Sequence, residues 1–107
     1  MMDKALGLIG IAKRAGRISG GAELVEDSIR SGAAQLVVIA SDISDGSRKA
    51  ITDCCKHYGV KYITYATKTE LGRAIGREIR AVVSVNDAGL AAAVEARIAE
   101  VSEERKG

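Results

Sequence analysis

Aliphatic positions along this chain alternate between a helical rhythm and short unbroken runs. From Met2 to Ala15, Ala5, Leu8, Ile9 and Ala12 recur at helical spacing while Lys4, Lys13 and Arg14 fall off that stripe. The pattern predicts a helix, with Asp3 favouring its start and Gly16 stopping it. Gly7 and Gly10 each weaken such a helix by about 1 kcal/mol against alanine, and close packing on a sheet is one reason for them. Arg17-Ile18-Ser19 reads as a short extended segment with Ile18 inward, and Gly20-Gly21 as a turn. A second helix, Ala22 to Ser31, places Ala22, Leu24, Val25 and Ile29 against the core and ends at Gly32.

Gln35 to Ala40 is a continuous aliphatic run, the strongest strand in the chain, and implies burial on both faces of a sheet. A third helix runs from about Ser47 to Tyr58, with Ile51, Cys54, Cys55 and Tyr58 inward and Gly59 closing it. Val60 to Tyr65 is a further strand. Thr67-Lys68-Thr69-Glu70 matches a capping box, so a short helix follows through Ile75. Arg77-Glu78-Ile79-Arg80 is a charged loop, and Ala81 to Val85 an aliphatic strand. Asn86-Asp87 caps a last helix whose apolar face is Leu90, Val94, Ile98 and Val101, and residues 102–107 read as a frayed tail. Helices and strands alternate with short connections throughout. This predicts one α/β domain over residues 1–101, a three-layer α/β/α sandwich.

Composition changes this picture little. With 107 residues, 47% hydrophobic and 28% charged, the chain has the make-up of one ordinary globular domain. The net charge of +2 does not announce a nucleic-acid binder, but it is unevenly spread: residues 1–82 carry +4 and residues 83–107, with the last helix and tail, carry −2. Cys54 and Cys55 are adjacent, which disfavours an unstrained disulfide between them, and with His57 they lack the paired spacing of a zinc site. Free thiols fit a reducing compartment, and no run reaches membrane length, so the expectation is a cytoplasmic protein with no membrane association.

Candidate chemistry is thin. Asp42 and Asp87 follow strands, where open α/β sheets often bind ligands, but both also suit helix caps. No phosphate-loop, dinucleotide or zinc-hydrolase pattern is present. The expectation is a non-enzyme without cofactor or metal. The better candidate is the turn before the second helix. The free N–H groups of a helix start favour an anion, and Lys13, Arg14 and Arg17 precede it. Arg73, Arg77 and Arg80 make a second basic cluster apt for phosphate. Three tyrosines and no other aromatic side chain offer no stacking platform, which disfavours a single-strand reader.

The series Gly16-Arg17-Ile18-x-x-Gly21 and Gly32-x-x-x-Leu36-Val37-Val38-Ile39-Ala40-x-Asp42 resembles the L7Ae/L30e ribosomal protein family, as do Thr67-Lys68-x-Glu70-Leu71-Gly72-x-Ala74-x-Gly76 and Glu78-Ile79-x-Ala81. Nearly the whole chain is covered, and the phrasing is closest to small bacterial members encoded among translation genes. The resemblance implies a mixed four-stranded sheet between helices and binding to kink-turn or kink-turn-like RNA. In it, the glycine turn and the start of the second helix meet the bent RNA backbone, and the loop before the last strand closes over protruding bases. Gly21 takes the turn glycine, Arg17 a basic position, and Glu78 and Ile79 match the second loop. Where kink-turn binders usually carry Asn-Glu and a later Lys, this chain has Glu23, Leu24 and Asp27.

These readings predict an RNA-binding protein of the translation apparatus, with ribosomal RNA the first candidate partner and DNA not expected. Its contact residues are Arg14, Arg17, Gly20, Gly21, Glu23, Arg77, Glu78, Ile79 and Arg80. One alternative is a protein-interaction module in which Glu23, Glu26 and Asp27 meet a basic ribosomal or RNA-processing protein. The other is a small-ligand site at Asp42 and Asp87.

Overall fold

Each residue of the two central strands, Leu36–Ile39 and Val82–Val85, is buried, the polar Ser84 included. A computed structural model describes residues 3–106, with side chains through residue 101. Its elements in order are α1 (Lys4–Arg14), β1 (Ile18–Gly20), α2 (Ala22–Arg30), β2 (Leu36–Ile39), α3 (Asp45–Tyr58), β3 (Tyr62–Thr64), α4 (Lys68–Ala74), β4 (Val82–Val85) and α5 (Ala88–Lys106). The four strands form one mixed sheet in the order β1-β4-β2-β3, with β4 antiparallel to both neighbours and β2 parallel to β3. Helices cover both faces, giving the three-layer sandwich.

Side chains along a strand alternate between faces, and the core divides accordingly. Leu36, Val38, Val83 and Val85 join α1, α4 and α5 in one apolar cluster. Val37, Ile39 and Val82 join α2 and α3 in the other. The helix ends follow local chemistry. Asp3 accepts the Leu6 N–H at 2.8 Å and also the Tyr65 hydroxyl. Ser44, not a later residue, caps α3 and starts it at Asp45. Thr67 and Glu70 form the full capping box of α4, and Gly16, Gly32, Gly59 and Gly76 close the first four helices at positive φ.

Several expected inward positions turn out differently. Leu24 is 58% exposed and Tyr58 48% exposed, and Ala22 is exposed. The buried stripe of α2 is Val25, Ser28 and Ile29, at i, i+3, i+4 spacing. Cys55 is buried and Cys54 half-buried. Burial, and secondarily Cys54 beside it, pushes the Cys55 thiol up from 9.0 to about 11, so it stays neutral at ordinary pH and serves as core filler. Gly10 packs against α4 and not against the sheet: a Cβ there would lie 3.1 Å from the Ala74 carbonyl oxygen. Met2 and Gly107 lie outside the described residues. The backbone of 102–106, read as frayed, continues α5.

A polar chain runs under α2. Ser19 and Ser28 hydroxyls meet at 2.6 Å, the Asn86 amide donates to Ser19 Oγ at 3.0 Å, and the Ser84 hydroxyl donates to Asn86 Oδ1 at 2.9 Å. Ser84 is fully buried. Asn86 therefore ties β1 to β4, and Asp87 alone caps α5 by accepting the Leu90 N–H at 2.8 Å. Asn86→Ala leaves a buried hydroxyl unpaired and is expected to cost about 1–3 kcal/mol, read as a lower urea midpoint with unchanged slope.

Candidate functional site

β1 ends where β4 begins, because the two strands pair antiparallel with Gly20 opposite Val83. The turn leaving β1 and the loop entering β4 therefore share one end of the sheet. Between them lies a groove of about 410 Å³, lined by Gly20, Gly21, Glu23, Leu24, Ile79 and Arg80.

Two backbone features shape it. Gly21 holds φ 93° and ψ 151° at the N-cap position of α2, with no side chain capping the helix. Its own N–H is spent, donating to the Val82 carbonyl at 2.9 Å. The N–H groups of Ala22, Glu23 and Leu24 have no hydrogen-bond partner among the described residues. The anion-favouring end of α2 is thus open from Ala22 onward, not from the glycine itself. The second feature is Gly72 in α4. A Cβ there would meet Glu78 O at 2.6 Å and Ile79 N at 2.8 Å. The Arg77 N–H donates to Gly72 O at 2.7 Å, and the Arg80 N–H to Lys68 O at 3.0 Å, so the loop is laid directly on α4.

The groove has mixed character. The Arg80 side chain crosses the glycine pair: a Cβ at Gly20 would lie 3.7 Å from Arg80 Nε, and one at Gly21 3.8 Å from Arg80 Cδ. Its guanidinium donates to its own Ile79 carbonyl at 2.6 Å. Leu24 and Ile79, 58% and 54% exposed, supply two bare aliphatic walls. Glu23 meets no cation among the described residues. Glu26 and Asp27 do: Arg30 holds them at 3.3 and 3.5 Å, so the acidity of α2 is partly cancelled on the helix itself. These are exposed pairs worth little in stability, but their effect on the local field is direct.

Of the nine residues expected to make contact, the structure gathers Gly20, Gly21, Glu23, Ile79 and Arg80 in this groove. Arg77 and Glu78 are exposed on the same loop, and Arg17 is exposed at the base of β1. Arg14 is not brought here; it borders another groove on α1. Leu24, expected in the core, lines the groove instead, and its spacing to Ser28 gave no local sign of that. Gly72 carries no local signal of its role, since what it approaches is six residues away. The carboxylates of the small-ligand alternative are spent on amides: Asp42 accepts the Lys68 N–H at 2.8 Å and Asp87 caps α5.

The fold and the paired loops define a small α/β/α domain that presents a glycine turn and a stapled loop at one end of its sheet. The chain belongs to the Ribosomal protein L7Ae/L30e/S12e/Gadd45 family, which it matches over residues 3–95. It is similar to proteins named RNA-binding protein YlxQ. The one from Bacillus subtilis (strain 168) is 42% identical over 84 residues, covering 78% of this chain and 84% of the relative. The one from Enterococcus faecium is 35% identical over 89 residues, covering 83% and 85%. Among solved structures, a protein of unknown function from Bacillus halodurans superposes with a TM-score of 0.84 at 35% identity, covering 89% of this chain and 96% of that one. A Giardia lamblia 15.5kD RNA binding protein gives 0.73 at 27% identity, covering 88% and 84%.

Proposed function

We propose that this protein is a non-catalytic RNA-binding protein of the translation apparatus, working in the cytoplasm on structured RNA such as ribosomal RNA. The observation that carries the reading is the convergence of the Gly20-Gly21 turn and the Arg77–Arg80 loop on one groove with open helix amides. A phosphate of a sharply bent, kink-turn-like backbone sits at the Ala22, Glu23 and Leu24 N–H groups, where the helix end favours negative charge. Arg80 and Arg17 neutralise neighbouring phosphates, and Arg77 adds charge at the rim. Leu24 and Ile79 cover the apolar face of an unstacked base. The RNA-binding names of the relatives support the same reading.

The test is a titration of ribosomal RNA and a generic kink-turn at several salt concentrations. Each of Arg17→Gln and Arg80→Gln is expected to weaken binding and to lower the slope of log affinity against log salt by about 0.7–0.9 for the phosphate lost. Affinity that ignores salt overturns the phosphate assignment.

A second reading rests on Glu23, the one acid of α2 without a cation among the described residues, next to exposed Leu24. In a protein-interaction module this pair would meet a basic ribosomal or RNA-processing protein. Glu23→Lys separates the two: it strengthens RNA binding under the first reading and abolishes partner capture under the second.

A further inference from the structure

α1 carries two helix-weakening glycines, and the fold accounts for only one. Gly10 lies against the Ala74 carbonyl, with 3.1 Å to the position of a Cβ. At Gly7 nothing lies within 4 Å of that position. The chain's own packing leaves the space over Gly7 empty, although alanine there would make a better helix.

That empty space belongs to a groove of about 430 Å³ along α1 and α5. Gly7, Leu8 and Ile11 form its floor, and Lys4, Arg14 and Arg97 its rim. Lys4, Gly7, Leu8, Ile11 and Arg14 follow helical spacing, so they make one stripe along α1. The stripe is about 15 Å long at about 1.5 Å per residue, apolar in the middle and cationic at both ends. Ile11 is 46% exposed. Lys4 and Arg14 meet no carboxylate among the described residues, whereas Arg97 is held by Glu100 at 3.1 Å.

We propose that this stripe docks an acidic amphipathic helix of a partner protein. Aliphatic side chains of that helix rest on Leu8 and Ile11, its backbone approaches over Gly7, and carboxylates near its two ends meet Lys4 and Arg14. The absence of a Cβ at Gly7 is what lets two helices come close, as small residues do wherever backbones approach. RNA is the poorer occupant, because the start of α1 is capped by the Asp3 carboxylate and the stripe offers no open helix end for a phosphate. This surface shares no lining residue with the glycine groove.

The test uses the full chain, isotope-labelled, titrated with a synthetic helical peptide bearing leucines at i, i+3, i+4 and i+7 flanked by glutamates. A second peptide carries lysine at each glutamate. The glutamate peptide is expected to shift resonances of Lys4, Gly7, Leu8, Ile11 and Arg14, and the lysine peptide to leave them unchanged. Gly7→Leu fills the groove and is expected to weaken binding at least about tenfold through steric exclusion, while the melting temperature holds or rises because leucine favours helix. Ile11→Glu is expected to abolish binding. Equal binding of both peptides, undiminished binding to Gly7→Leu, or a silent stripe with the glutamate peptide overturns the proposal. So does a structured RNA that shifts these residues when the peptide does not.

Discussion

Gly72→Ala is expected to unfold this protein more readily and to weaken RNA binding beyond what the stability loss explains. The added Cβ would meet Glu78 O at 2.6 Å, Glu78 C at 2.7 Å and Ile79 N at 2.8 Å. All three are backbone atoms, so no rotamer change relieves the overlap. Either α4 or the loop must move. Overpacking of this kind costs about 1–3 kcal/mol. Movement of the loop also carries Ile79 and Arg80 away from the glycine turn they border. Urea unfolding measures the first effect, and RNA titration under fully folded conditions measures the second. Gly46→Ala is the control: nothing lies within 4 Å of its Cβ position, and it should be neutral or slightly stabilising. Unchanged stability in Gly72→Ala would show that the loop does not rest on α4 as described.

Gly21→Ala should be nearly as damaging for a different reason. Space is available, since the nearest atom to a Cβ is Arg80 Cδ at 3.8 Å. The obstacle is the backbone: φ 93° with ψ 151° is a region essentially confined to glycine, and an L side chain there costs about 1–3 kcal/mol. Relaxing that strain rotates the N-cap and breaks the donation from Gly21 N–H to Val82 O, which aligns α2 with the sheet edge. Gly20→Ala separates the two mechanisms. Its Cβ would lie 2.6 Å from Ile75 Cδ1, the tip of a side chain, so combining it with Ile75→Val should recover much of the loss. Gly21→Ala has no such partner, and the same second substitution should leave its melting temperature loss intact.

Much of the architecture was legible in the chain. Gln35–Ala40 read as a strand covered on both faces and Ala81–Val85 as a further strand, and the structure has strands at Leu36–Ile39 and Val82–Val85; Thr67 with Glu70 announced the start of α4. The misreadings share a cause. Leu24 and Tyr58 were placed inside because they are apolar, but burial of apolar residues is a one-way rule and folded surfaces expose many. Ser28 was overlooked because it is polar, although it holds the correct spacing and meets Ser19 at 2.6 Å. Asn86 has the chemistry of a cap, and so does Asp87; position along the chain does not say which carboxylate or amide the helix takes and which is left to bond Ser84 and Ser19.

By itself, the sequence determined the elements, their layering and the presence of a glycine turn before α2, because periodicity, capping and turn chemistry act over a few residues. Only the tertiary structure decided that this turn and the Arg77–Arg80 loop form one groove. That follows from β1 lying antiparallel beside β4 and from Gly72 letting the loop settle on α4. It also decided which cations stand alone and which, like Arg30, are occupied by their own helix. Such matters depend on atoms distant along the chain arriving within a few ångströms, and no local pattern records that distance.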